Sequence, residues 1–382
     1  MKVALVAGED EGWGGIGTYT WVLGRALAEL GHDVALVVRG WEGAVVEPVG
    51  GLMVHRVPVA EPEWHRLTGP LLSRMYSTRE AAVFSLGAAR VLRELRPDIA
   101  EFPEFGGPGL MAATRGRIRA IVRLHTPTYL ARQLAAEAMT LDDRLHELLE
   151  LIAAHRAGTV SSPSAALADA VAHRWRLNRS RLQVVPNPVD EDVFRPTDQS
   201  PVAGRIVIVG RVERAKGHDL LVEALPAIRA AVPDAHIVAA GADGGLLESL
   251  RRRAGELGVE DRITFLGALP RDELPALYRS AVACTVPSRF ESFSYTAAEA
   301  MATGRAVVAT RVGALPEVVA DGIAGVIVEP EQPAALAAGL IEVLSDPARR
   351  ATLERGARWE VETRFASRTV AQAMVKLYTA VS

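Results

Sequence analysis

Short runs of apolar, mostly β-branched residues alternate with longer amphipathic stretches along almost the whole chain. KVALVAG is followed by the helical pattern YTWVLGRALAELG, which Gly31 closes, and DVALVVRG begins the next strand. LMVHRVPV, a helical stretch ending in REAAVFSLGAARVLREL, DIAEF, RAIVRLH, the helix DDRLHELLELIAAHRAG, GTVSSPS, a further helix and LQVVPNP continue the series. Apolar strands separated by amphipathic helices predict βαβ units and a parallel sheet covered on both faces. The segment PNPVDEDVFRPTDQSPVAG is rich in Pro and Asp and has no helical period, so it is the expected domain boundary. The strand pattern then restarts with RIVIVG, AHIVAAG, RITFLG, AVACTVPS, AVVAT and GVIVEP, and from about Ala334 the chain is helical to its end. Two doubly wound α/β domains follow, 1–195 and 196–365. Ligands of such sheets bind at the carboxyl ends of strands, which points to a cleft between the two domains.

Composition narrows the function classes. The 382 residues are 49% hydrophobic and carry a net charge of −3, which argues against sequence-independent binding to nucleic acid. Arg115, Arg117, Arg119 and Arg123 could form a local anion or membrane-surface patch, although a solvated loop and strand end is the simpler reading. The single cysteine, Cys284, sits in an apolar run and reads as a small buried hydrophobe. No Cys/His spacing suggests zinc. The run MKVALVAG is too short for a signal segment and no apolar run is long enough to span a membrane, so a cytoplasmic protein with at most peripheral membrane contact is expected.

Four stretches carry candidate chemistry. In ESFSYTAAEA, Glu291 and Glu299 stand eight positions apart (299 − 291). Glu291 falls in a loop after the buried strand VACTVPS. Glu299 falls about one turn into a helix that Ser294 caps and Gly304 ends. Even on one helix, eight residues separate them by ~12 Å, more than a glycosidase carboxylate pair allows. Two separate grips on an extended ligand fit better, and on spacing alone an ordinary exposed Glu299 and a solvated Glu291 fit equally well. In VGRVERAKGHDLLVEAL, Arg211 and Lys216 lie in a loop between a strand and a helix, where two cations suit a diphosphate. In EDEGWGGIGTYT, Gly14, Gly15 and Gly17 precede a helix, a poor match to a dinucleotide fingerprint. Thr20 replaces the third glycine, residues 9–13 intervene, and the second strand ends in Arg39 rather than an acid. In IVRLHTPTYL, His125 follows a buried strand at its carboxyl end.

The stretch PSRFESFSYTAAEAMATGRAVVATRVGALPEVV closely resembles the E-x7-E region of the retaining glycosyltransferases of family 4, which have the GT-B fold. The resemblance spans nearly the whole chain and is strongest over 184–330. It implies two Rossmann-like domains and transfer of a hexosyl group from a nucleoside diphosphate sugar to an acceptor hydroxyl. The resemblance also implies that anomeric configuration is kept, by front-face substitution. By resemblance, the second domain binds the donor, the first shapes the acceptor site, and a last helix, about 366–382, crosses back to the first domain. Glu291 then holds donor-sugar hydroxyls with the amides of Ser292, Phe293 and Ser294, and Glu299 holds the ribose hydroxyls. Arg211 and Lys216 clamp the diphosphate, Gly15 and Gly17 face the cleft, and His125 contacts the donor sugar and its phosphate. The chain departs from the family pattern at Ser294 and Ala314, where Gly is common, and at Thr303, where Cys or Ser is common. Asp190 and Asp192 resemble a D-x-D metal motif but fall in the interdomain turn, so no metal and no other cofactor is expected. UDP is the first choice of nucleotide, with GDP and ADP open. A nucleotide-sugar epimerase or phosphorylase, an NADP-dependent oxidoreductase resting on Arg39, and a non-catalytic sugar-nucleotide binder are the competing classes. Trp13, Trp64, Tyr76, Phe102, Phe105 and Tyr129 could stack on an acceptor ring or serve as core residues.

Overall fold

A computed structural model describes residues 1–8, 14–40, 43–59, 75–113 and 118–381. Among the positions named above, residues 9–13 (Trp13 included), Trp64, Arg115 and Arg117 lie outside the described residues. The chain divides into two compact units, Met1–Pro188 with Ser367–Ser382, and Val189–Ala366. The division falls ahead of the expected boundary at 195–196 because Val189 and Phe194 are packed into the second unit's core. The amide of Val189 also donates to the carbonyl of Phe365 at 2.8 Å.

The first unit is an eight-stranded sheet. Its strands are β1 (Lys2–Val6), β2 (Asp33–Gly40), β3 (Val45–Val49), β4 (Leu52–Pro58), β5 (Ile99–Pro103), β6 (Arg119–Arg123), β7 (Thr159–Ser162) and β8 (Leu182–Val184). They run in the order β3-β4-β2-β1-β5-β6-β7-β8. All pairings are parallel except β3 with β4, which is antiparallel. The hydrophobic pattern missed β3 because VVEPV is mostly exposed and contains a proline, a residue tolerated at a sheet edge. One face of the sheet, with Ala4, Val6, Val37, Ala100 and Phe102, packs on Phe84, Ala88 and Leu92 of the helix Tyr76–Leu95.

The second unit holds β9 (Arg205–Val209), β10 (His236–Ala240), β11 (Ile263–Gly267), β12 (Ala283–Val286), β13 (Val307–Thr310) and β14 (Gly325–Val328). All are parallel, in the order β11-β10-β9-β12-β13-β14. This is the 3-2-1-4-5-6 order of a nucleotide-binding doubly wound sheet, whose crevice opens where the order reverses, here between β9 and β12. Alternation along each strand covers both faces. Val207, Cys284 and Val307 share one core with Met301 and Phe365. Ile206, Ile208, Ala283 and Val308 share the other with Leu225 and Leu340. Cys284 is buried as expected, and burial pushes its thiol up to about 12.

Candidate active site

The two loops at the β9/β12 switch point carry six of the predicted residues, Arg211 and Lys216 in one and Glu291, Ser292, Phe293 and Ser294 in the other. After β9 the chain passes Arg211, makes a single 3-10 turn at Arg214–Lys216, and enters the helix His218–Ala231 through Gly217. Gly217 has φ +70°, and a Cβ there would sit 1.9 Å from the carbonyl oxygen of Pro287, so only glycine lets this loop lie against the loop after β12. That second loop is tied down by Arg289. Its amide donates to Ala215 O at 2.9 Å, and its guanidinium grips both oxygens of Asp219, at 2.8 and 2.9 Å.

Glu291 is held at the centre of this arrangement. Its Oε1 accepts from Lys216 Nζ at 2.8 Å and from Ser288 Oγ at 2.8 Å. Its carbonyl accepts from the amide of Ala314 at 2.8 Å. Burial works against the charge of Lys216, but the charge and hydrogen bond of Glu291 outweigh it and raise the pKa, so the ammonium persists at neutral pH. Arg211, by contrast, keeps 66% of its side chain exposed, with Glu213 3.6 Å away. The site thus offers one cation already paired with a carboxylate and one largely free.

Ser294 begins the helix Tyr295–Ala302, and its hydroxyl accepts from the amide of Ala297. Its backbone has φ +82° and ψ +85°, a region costly for any residue with a Cβ. The side chain of Phe293 is in the core, against Tyr295 and Phe365, so only its backbone is available to a ligand. Glu299, inside this helix, is 3% exposed. Its Oε2 accepts from the Tyr278 hydroxyl at 3.2 Å. Arg271 Nη2 lies 2.7 Å from Oε1, a close ion pair. Burial raises the Glu299 carboxyl pKa, against the pull of Arg271.

In the first unit, His125 follows β6, and its amide donates to Glu104 Oε1 at 2.8 Å. Burial, and then Arg123, push the imidazole well below its usual range, so it is neutral at physiological pH. The glycines depart from expectation. The first helix begins at Gly14, so Gly15 and Gly17 form its opening turn rather than a loop before it. Gly15 is exposed with open space around it, whereas Gly17 is buried. Two less favoured possibilities find no support. Arg123 belongs to no surface patch: it is completely buried and donates to Val185 O and Asn187 Oδ1. Arg39 is paired with Glu80 and lies over the Phe84 ring, so it is committed within the protein rather than free for a 2′-phosphate. Asp190 accepts from the amide of Val193, as a structural turn requires. Phe102 is core, while Tyr76 and Phe105 are exposed.

The family model described as "Glycosyltransferase Family 4" matches residues 13–193, and the model "Glycosyl transferases group 1" matches 195–359. D-inositol 3-phosphate glycosyltransferase of Mycolicibacterium gilvum is 30% identical over 87% of this chain and 78% of its own length. The enzyme of that name from Xylanimonas cellulosilytica is 30% identical over 96% of this chain and 91% of its own length. The chain belongs to glycosyltransferase family 4. This glycosyltransferase also resembles solved structures along its full length. Sucrose-phosphate synthase from Thermosynechococcus elongatus superposes with a TM-score of 0.80 at 24% identity, covering 99% of this chain and 98% of the other. Anabaena HepE, solved with UDP and glucose, gives 0.75 at 19% identity with complete coverage of both chains. The fold is GT-B. Among the described residues of the glycosyltransferase, no helix is long and apolar enough to cross a membrane.

The structure also brings in residues that sequence reasoning missed. Arg289 and Ser288 shape the Glu291 loop, and Arg271 and Tyr278 flank Glu299. Arg289 stood in the quoted motif but gave no signal, since its partner Asp219 is 70 residues away.

Proposed function

We propose that this glycosyltransferase moves a sugar from a nucleoside diphosphate sugar, UDP-linked in the first instance, to an acceptor hydroxyl, with retention and without a metal. The observation that carries the reading is the pairing of Lys216 with Glu291 at the switch point, beside the exposed Arg211. Lys216 and Arg211 offset diphosphate charge as the leaving group departs. Glu291 and the backbone of Ser292, Phe293 and Ser294 take the donor-sugar hydroxyls. Glu299, held by Tyr278 and Arg271, takes a ribose hydroxyl. From the first unit we assign His125, as a neutral orienting group, and the opening turn at Gly15 and Gly17.

The bond from the anomeric carbon to the phosphate oxygen breaks, and the bond to the acceptor oxygen forms on the same face. The acceptor proton passes to the leaving phosphate, releasing the nucleoside diphosphate. Glu291 is engaged by Lys216 and Ser288, which suits a grip better than a covalent nucleophile. The bound nucleotide of HepE supports UDP, while a starch synthase IV neighbour solved with ADP keeps ADP in view. D-inositol 3-phosphate, for which the curated relatives are named, is the first acceptor to test.

The test is thermal stability with UDP, GDP, ADP, NAD⁺ and NADPH, for wild type and Glu299→Ala, with and without EDTA. A ligand at ~100 times its Kd adds ~2.7 kcal/mol. A shift with one nucleoside diphosphate, kept in EDTA and lost in Glu299→Ala, is expected. A shift with NADPH alone, or one unchanged in the variant, sinks the assignment.

A further inference from the structure

Buried side chains in the first unit link the terminal helix, Ser367–Ala380, to His125. Tyr378 of that helix donates its hydroxyl to Glu101 Oε2 at 2.8 Å. Tyr19, from the first helix, donates to the other oxygen, Oε1, at 2.7 Å. The Tyr19 ring meets the His125 imidazole edge-on, with centroids 5.2 Å apart and planes at 72°. The guanidinium of Arg123 lies over the same tyrosine ring at 4.6 Å and is itself anchored on Val185 and Asn187. All five side chains are buried.

Two features make this more than core packing. Burying a carboxylate and a guanidinium costs several kcal/mol that well-packed apolar residues avoid, so stability alone does not account for the arrangement. Among the described residues, no hydrogen bond reaches the imidazole nitrogens, and the backbone contact to Glu104 does not set the ring plane. The edge of Tyr19 is an aromatic contact on the ring. Tyr19 is in turn locked through its hydroxyl by Glu101, and Glu101 by Tyr378. The ring is thus flanked by a tyrosine that is itself fixed at its hydroxyl.

We propose that Tyr19, Glu101 and Tyr378 are positioning residues for His125, so that the last helix of the chain sets the orientation of the imidazole. The proposal rests on the reading that His125 serves the reaction, and the test separates the two. Full-length protein carrying isotope-labelled histidine is compared as wild type, Tyr378→Phe, Glu101→Gln and Tyr19→Phe, with the His125 resonance assigned from His125→Gln. Val370→Ala, which loosens the terminal helix at a buried site, serves as control. Slow hydrolysis of UDP-glucose supplies the kinetic readout.

The expected result is a displaced His125 ring resonance in all three relay variants and not in Val370→Ala. The kcat for hydrolysis falls about tenfold with KM little changed, as misorientation of a reacting-site group predicts. An unmoved His125 signal in folded Tyr378→Phe and Glu101→Gln overturns the proposal, as does an equal displacement in Val370→Ala, which marks general loosening. Displacement of the signal combined with full hydrolysis by His125→Gln leaves the relay standing and removes His125 from the reaction.

Discussion

Ser294 starts the helix that carries Glu299, in a backbone conformation that suits glycine, with φ +82°. The serine brings one gain and one cost. Its hydroxyl caps the helix by accepting from Ala297, though at 3.4 Å the bond is long. Its Cβ suffers the left-handed penalty of roughly 1–2 kcal/mol. Ser294→Gly relieves that strain, sacrifices only a few tenths of a kcal/mol of capping, and adds roughly 0.5–1 kcal/mol of unfolded-chain entropy. The net is a variant of equal or slightly greater stability, by up to about 1 kcal/mol. Ser294→Ala keeps the strain and discards the cap, for a loss of about 1 kcal/mol. The glycine variant is therefore expected to exceed the alanine variant by about 1–2 kcal/mol. In a unit of this size that is roughly 2–8 °C in melting temperature, at about 2–4 °C per kcal/mol. Thermal unfolding followed by circular dichroism, with the three proteins side by side, measures it. Equal stability of the glycine and alanine variants would refute the strain argument, because both lose the hydroxyl and only one keeps a Cβ.

Two further outcomes follow from groups around the site. Glu104 is fully buried, and burial, followed by the charge of Glu150, pushes its carboxyl up to about 8, against the pull of the His125 amide and its neighbours. The folded state therefore holds a proton that the unfolded chain has released, so this contribution to stability is complete below pH ~4.5 and is lost as pH rises towards ~8. Glu104→Gln removes the dependence. Urea unfolding at pH 5 and pH 8 should show the variant gaining on wild type by a few kcal/mol at the higher pH, whereas a constant difference means the carboxyl is ionised throughout. Gly313 has φ +48°, and a Cβ there would lie 2.2 Å from the carbonyl oxygen of Glu291. Gly313→Ala should cost at least ~2 kcal/mol and reduce donor turnover about tenfold or more by displacing Glu291. Full activity in that variant would show that the Glu291 loop tolerates movement.

Much of the architecture was legible along the chain, and so were the loops that carry the candidate site. Runs such as RIVIVG and AVACTVPS announce buried parallel strands because a sheet covered on both faces needs apolar residues at every position. The edge strand at Val45–Val49 was not legible, since an exposed, proline-bearing strand has no such pattern. Gly14, Gly15 and Gly17 were seen, but their glycine content masked the start of a helix that the tertiary packing of Tyr19, Leu23 and Leu27 makes favourable. Arg123 read as a surface charge because nothing nearby in sequence reveals Asn187 and Val185 as its partners.

Local patterns by themselves determined the two α/β units, and the family resemblance carried by the quoted motifs put forward Glu291, Glu299, Arg211, Lys216 and His125 as candidates. Strand period, helix ends and motif spacing are all short-range signals. Only the tertiary structure decided that Lys216 is paired with Glu291 across 75 residues, that Glu299 is buried against Tyr278 and Arg271, and that Tyr378 reaches Glu101 across 277 residues. Such pairings depend on which loops the sheet order brings to one end and on which polar atoms are then left without water. Neither is written in any stretch of the chain short enough to be read alone.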